Sequence, residues 1–128
     1  TAALVTQMLR EAVVDGTGGQ AEVAGYRVAG KTGTAEKPVA GGYSDNANIA
    51  SFAAVFPSDR PEYVVLIVLD SPKAAVGRGR TAAWNAAPTA GRVIDRIAPS
   101  LGVEPRFDDL DTYESPLVRS VAERRNSL

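Results

Sequence analysis

Neither cysteine nor histidine occurs in the 128 residues. Without cysteine there is no disulfide framework and no thiol nucleophile. Without histidine the commonest general base is missing, and the two absences together remove zinc and haem sites of the usual kind. No metal and no cofactor is therefore expected. Charge of one sign is not in excess either: 14 Lys and Arg face 15 Asp and Glu, a net of −1. That balance gives no electrostatic reason to expect nucleic acid or an anionic membrane surface as a partner. The longest apolar run, Tyr63 to Leu69, falls far short of the ~20 residues a bilayer span needs. No signal peptide opens the chain, which starts at Thr1 without Met and runs straight into a helical pattern. It reads as a piece of something longer. What is present is ordinary for one globular domain: 45% hydrophobic and 23% charged residues, at a length able to bury a core without staples. Lack of cysteine does not fix the compartment.

Leu4, Val5, Met8, Leu9, Ala12 and Val13 recur at helical spacing, and Asp15-Gly16 ends that helix. Thr17-Gly18-Gly19 reads as a flexible connector. From Ala24 the period becomes two, with Ala24, Tyr26 and Val28 opposite Arg27, Ala29 and Lys31, which predicts a strand. Glu36 to Asn48, carrying Pro38, Gly41 and Gly42, reads as a loop. A second strand is predicted over Ile49 to Phe56 and a third over Tyr63 to Leu69, with the Pro57 to Pro61 turn between them. Short connections make the three antiparallel neighbours. The third strand lacks polar alternation, so cover on both faces is expected. Gly77 to Arg80 is loop, and Pro88 suits the first turn of a closing helix striped by Ala90, Val93, Ile94, Ile97 and Ala98. The expected class is α+β, an antiparallel three-stranded sheet flanked by N- and C-terminal helices. Residues 1–105 form the domain. Residues 106–128, rich in Asp and then Arg, form a tail in which Leu117 to Ala122 marks a weak helix or a mobile end.

Gly25 to Thr32 satisfies the phosphate-loop pattern G-x-x-x-x-G-K-[ST], and Val64 to Asp70 resembles a magnesium-holding strand. Physics argues against that reading. A phosphate loop follows a buried strand and opens a helix whose amides face the phosphates. Before Gly25 the chain is glycine-rich and polar; after Lys31 come Gly33, Pro38, Gly41 and Gly42, which break helices. The close spacing of the last two strands also forbids the crossover helices of a parallel sheet.

The alternative takes Lys31-Thr32-Gly33-Thr34 as the end of an edge strand. K-T-G belongs to the signature of serine β-lactamases and penicillin-binding proteins. The ordered string Val28 to Glu36, Gly42-Tyr43-Ser44, Ala50 to Pro57, Arg60 to Tyr63, Asp70 to Lys73 and Asn85 to Pro88 resembles the C-terminal part of a penicillin-binding transpeptidase domain, nearest the class B, division-type enzymes. The resemblance spans about residues 1–105.

That resemblance implies peptidoglycan D,D-transpeptidation in septum synthesis by a serine acyl-enzyme. The acyl-donor stem peptide would lie along Gly33 to Ala35, with β-lactams in the same groove. Lys31 would help position the terminal carboxylate and meet the hydroxyl of a separate S-x-N element. Thr32 and Thr34 would donate to the carboxylate, Gly33 would permit close approach, and the Thr34 backbone N–H would be an oxyanion donor. Plainer roles compete: a solvated edge lysine for Lys31, strand-forming for the threonines, a bulge at Gly33. Tyr26 and Phe52 read as packing residues, Trp84 as a cap on the core, Arg78 and Arg80 as solvated loop charges. Ser44-Asp45-Asn46 spells S-x-N but stands after the lysine strand, so turn chemistry is expected there.

No Ser has Lys three places on; Ser71-Pro72-Lys73 is one residue short. The nucleophile, its activating lysine and the S-x-N element are expected upstream of Thr1, so the chain alone should be inactive. The parent would sit at the periplasmic face of the bacterial inner membrane, anchored by a segment absent here, among divisome partners. A third strand deprived of its neighbour should drive self-association or binding of the complementary half. A D,D-carboxypeptidase, a β-lactamase or a non-catalytic sensor or assembly module would fit the same residues.

Overall fold

The computed structural model describes residues 1–74 and 77–107, apart from the side chains of Asp45 and Asn46. The Leu117–Ala122 segment, expected as a weak helix or a mobile end, lies outside that range. Helix α1 (Ala2–Val14) leads by a short 3-10 turn at Gly19–Ala21 into strands β1 (Ala29–Val39), β2 (Gly42–Phe56) and β3 (Tyr63–Asp70); helix α2 (Ala86–Ile97) follows. The sheet order among the described residues is β1-β2-β3, with both pairs antiparallel. The α+β arrangement is the one expected.

Register sorts the side chains into two faces. Ala54 stands opposite Gly30 and Val65, and Phe52 opposite Thr32 and Ile67. Even-numbered residues of β2 therefore share a face with odd-numbered residues of β3. That face is buried in a core whose largest fully buried side chains are Phe52, Phe56, Val13, Val28 and Ile94. Helix α2 lays Ala86, Ala87, Ala90, Gly91 and Ile94 into this core. Its small residues let the helix approach closely, and Asn85 accepts the Ala86 N–H at 2.6 Å to begin it. Helix α1 buries only Val13, and its Leu4, Val5 and Met8 stay exposed.

Four expectations need correction. Residues 24–28 are not strand: Gly25 (φ 86°) and Arg27 (φ 47°) fold the chain, and the Tyr26 N–H bonds to the Val23 carbonyl. The burial of Tyr26 and Val28 comes from this turn, not from a pleat. Residues 36–48 are not a loop. The first two strands run on to a two-residue hairpin turn at Ala40-Gly41, where Gly41 takes φ 94°. Pro38 is tolerated because β1 is an edge strand among the described residues and the register shifts between Glu36 and Pro38. Ser44 to Asn46 accordingly belong to β2, not to a turn. Strand β3 is not covered on both faces: Val64, Leu66 and Val68 are 76%, 63% and 56% exposed. Finally, Thr17 to Gly19 is no loose connector. The Gly18 N–H bonds to the Ala12 carbonyl at 2.9 Å and the Gly19 N–H to Gly16.

Candidate functional site

Strand β1 has a hydrogen-bonded neighbour on one side only among the described residues. Alternate N–H and C=O groups along it therefore face outward. Lys31 Nζ donates to the Thr32 carbonyl at 3.0 Å, which places that carbonyl on the open side. In an antiparallel strand one residue's N–H and C=O point the same way and the next residue's point oppositely. The Thr34 amide thus opens to the same side as the Thr32 carbonyl. A ligand main chain can pair there.

The side chains on this edge are held from several elements. Lys31 is exposed, and no carboxylate among the described residues pairs with it. Its ammonium also lies 3.4 Å from Thr32 Oγ1, which in turn is 3.0 Å from Thr17 Oγ1. Thr34 Oγ1 accepts the Ala82 N–H at 3.1 Å, tying the strand to the turn before α2 and leaving the hydroxyl proton free to be donated. That turn is fixed by Asn48 and Asn85, which both donate to the Arg80 carbonyl at 3.0 and 2.9 Å. Upstream, Arg10 donates to the Val28 carbonyl at 2.6 Å and pairs with Glu22, clamping the approach to β1 onto α1.

Gly33 is not a bulge, since the register is continuous from Ala29 to Glu36. A Cβ there would come within 2.6 Å of Ser51 Oγ, a hydroxyl that would have to rotate away. Ala35 follows, exposed, opposite Ile49. The sequence-derived set Lys31, Thr32, Gly33, Thr34 and Ala35 is thus contiguous on one open edge. Lys31 and Thr32 lie inside a strand and no helix follows, so the phosphate-loop geometry is absent.

Trp84 is not a cap on the core. It is 43% exposed, and the Arg78 guanidinium carbon lies 5.0 Å from its ring centroid. Arg78 is therefore a stacking partner and not a merely solvated charge. Sequence reasoning missed Thr17, Ala82 and the Asn48–Asn85 pair. Thr17, Ala82 and Asn48 act through contacts distant in sequence, and only the glycines flanking Thr17 hinted at a tight turn.

The described geometry accords with what the chain is similar to. The family model for the penicillin-binding protein transpeptidase domain matches residues 1–94. A probable peptidoglycan D,D-transpeptidase FtsI from Caulobacter vibrioides is 44% identical over an alignment covering 91% of this chain and 22% of the relative. Stage V sporulation protein D of Bacillus subtilis is 40% identical, covering 87% of this chain and 17% of that protein. Among solved structures, penicillin-binding protein 3 of Mycobacterium tuberculosis complexed with ampicillin superposes with a TM-score of 0.71 at 33% identity, over 89% of this chain and 26% of that one. The transpeptidase domain of penicillin-binding protein 3 from Burkholderia pseudomallei gives 0.71 at 35% identity, over 82% and 31%. The chain spans about a fifth of the length of the curated relatives. An edge strand carrying Lys-Thr-Gly-Thr, in a sheet flanked by two helices and matched by the family model across nearly three-quarters of the chain, makes this protein a member of the penicillin-binding protein transpeptidase family.

Proposed function

We propose that this chain supplies one wall of the active site of a septal peptidoglycan D,D-transpeptidase. The observation that carries the reading is the open β1 edge, where an ammonium, two threonine hydroxyls and outward amides converge beside a side-chain-free Gly33. The acyl-donor stem peptide pairs antiparallel with Gly33 to Ala35 as an added strand. Its terminal carboxylate meets the Lys31 charge and the protons of Thr32 and Thr34. A serine on a part of the protein outside this chain attacks the penultimate D-Ala carbonyl. The Thr34 N–H donates to the oxyanion, and a donor so placed stabilises the transition state by roughly 3 kcal/mol. Collapse expels the terminal D-Ala as its amine. An acceptor stem-peptide amine then attacks the acyl-enzyme, forms the cross-link and regenerates the serine.

β-Lactams occupy the same edge, a reading supported by the ampicillin complex of a structural relative. The 128 residues alone are inactive for want of a nucleophile. The intact enzyme works at the periplasmic face of the inner membrane, held by a segment other than the helices seen here. No helix among the described residues is long and apolar enough to cross a membrane. Division proteins are its partners in the parent. In isolation, the exposed Val64, Leu66 and Val68 face drives self-association or capture of the complementary half. The tail expected at residues 106–128 lies outside the described residues from 108 onward. Labelling of the intact parent with a fluorescent penicillin tests the proposal. Covalent labelling that slows at least a hundredfold in Lys31→Ala is expected, and labelling indifferent to Lys31 would refute it.

A further inference from the structure

Thr17 lies fifteen residues before Thr32, yet their hydroxyl oxygens are 3.0 Å apart. The contact depends on the path of the chain between α1 and β1. The Gly18 N–H closes onto the Ala12 carbonyl at 2.9 Å, drawing the turn back over the end of α1. Both glycines around Thr17 sit tightly on that path. A Cβ on Gly16 would stand 2.6 Å from the Ala12 carbonyl oxygen, and one on Gly18 3.1 Å from Val13 Cγ2 and 3.3 Å from Phe52 Cε2. Both glycines are thus pressed against α1, and Gly18 also against the core, while Thr17 itself stays exposed at the head of β1.

The Thr32 hydroxyl has two lone pairs and one proton. An ammonium can only donate, so Lys31 Nζ at 3.4 Å engages one lone pair. If Thr17 donates as well, both lone pairs are used and the Thr32 proton must point elsewhere. An anion in the groove favours that orientation, because hydrogen bonds aligned in one direction polarise each other. We propose that Thr17 is a positioning residue that donates to Thr32 Oγ1 and presets the Thr32 hydroxyl as a proton donor toward the carboxylate of the bound ligand. Thr17 thereby tunes recognition of a carboxylate-bearing ligand without touching it. This inference rests on the transpeptidase reading above and adds a residue to it.

The test uses the intact parent enzyme and compares acylation by benzylpenicillin with acylation by its methyl ester, which keeps the reactive ring and loses the negative charge. Wild type should prefer the acid. Thr17→Val keeps the shape and removes the hydroxyl; it should slow acylation by the acid about tenfold, as loss of one hydrogen bond serving a charged group would. The ester reaction should change less than twofold, so the acid-over-ester preference shrinks. Thr17→Ser should restore the preference, and Thr17→Ala should reproduce the selective loss. Equal slowing of both ligands in Thr17→Val and Thr17→Ala would assign Thr17 a purely structural role and overturn the proposal, as would unchanged acid acylation. Failure of wild type to be acylated at all would instead strike at the transpeptidase reading, so the two failures are distinguishable.

Discussion

Lys37, near the end of β1, reaches across β2 to Asp70 at the end of β3, with Nζ 2.6 Å from Oδ1. The register shift between Glu36 and Pro38 falls at Lys37, the β1 residue that makes this reach. The ion pair joins the two outer strands where the hairpin leaves the core, beyond the last buried β2 residue, Ala50.

The pair has a pH signature. Asp70 is held below its ordinary value of 3.8, first by the hydrogen bond from Lys37 and then by that from Ser71. A carboxyl lowered on folding contributes stability above its unfolded pKa and loses it as pH falls through the folded one. The contribution is thus present at neutral pH and fades in acid below the ordinary carboxylate range. Because the site is exposed, the effect should be small and weakened by salt. In an NMR titration, Lys37→Met should move the Asp70 midpoint upward. An unmoved midpoint would mean that the pair does not persist in solution.

Gly30 precedes the site lysine and packs flat against β2. A Cβ there would lie 2.5 Å from the Ala53 carbonyl oxygen and 2.7 Å from Phe52 Cζ. Backbone cannot yield as a flexible side chain can, and Phe52 is fully buried. Gly30→Ala should cost about 1–3 kcal/mol of stability in urea unfolding, in the range of overpacked cores. An unchanged midpoint would show that the strand is looser than described.

Phe52 itself stands at the centre of the sheet, opposite Thr32 on one side and Ile67 on the other. Phe52→Ala should lower stability by about 3–5 kcal/mol. Such a loss would also loosen the Lys31–Thr34 edge, so penicillin labelling of the parent should fall at temperatures where unfolding is measurable and recover on cooling.

The open face of β3 gives a further prediction for the chain on its own. Val64, Leu66 and Val68 point away from the core on a strand that, among the described residues, is also a sheet edge. Sedimentation should show concentration-dependent association, and Leu66→Glu should shift the population toward monomer. A wild-type chain that stays monomeric at high concentration would contradict it.

Much of this architecture was legible because α1, β3 and α2 carry strong periodicity or long apolar runs between clear stops. The placing of Lys31–Ala35 on a strand edge was legible for a different reason: the short motif sits inside a longer ordered string. The β1–β2 hairpin was not. Pro38, Gly41 and Gly42 signal breaks locally, whereas an edge position, a register shift and a tight turn accommodate all three. Residues 24–28 misled in the opposite sense, since buried Tyr26 and Val28 imitate strand alternation while Gly25 and Arg27 bend the chain. The exposure of β3 on one face was hidden because an unbroken apolar run does not reveal which neighbours are present. Thr17 was hidden because its partner lies on another element.

The most direct test is a crystal structure of the intact domain acylated by a β-lactam. The account requires the acyl carbonyl oxygen to sit about 3 Å from the Thr34 amide nitrogen, with the ligand amide aligned along residues 33–35 and its carboxylate beside Lys31 and Thr32. An acyl group bound elsewhere, leaving the outer edge of that strand bare, would contradict it.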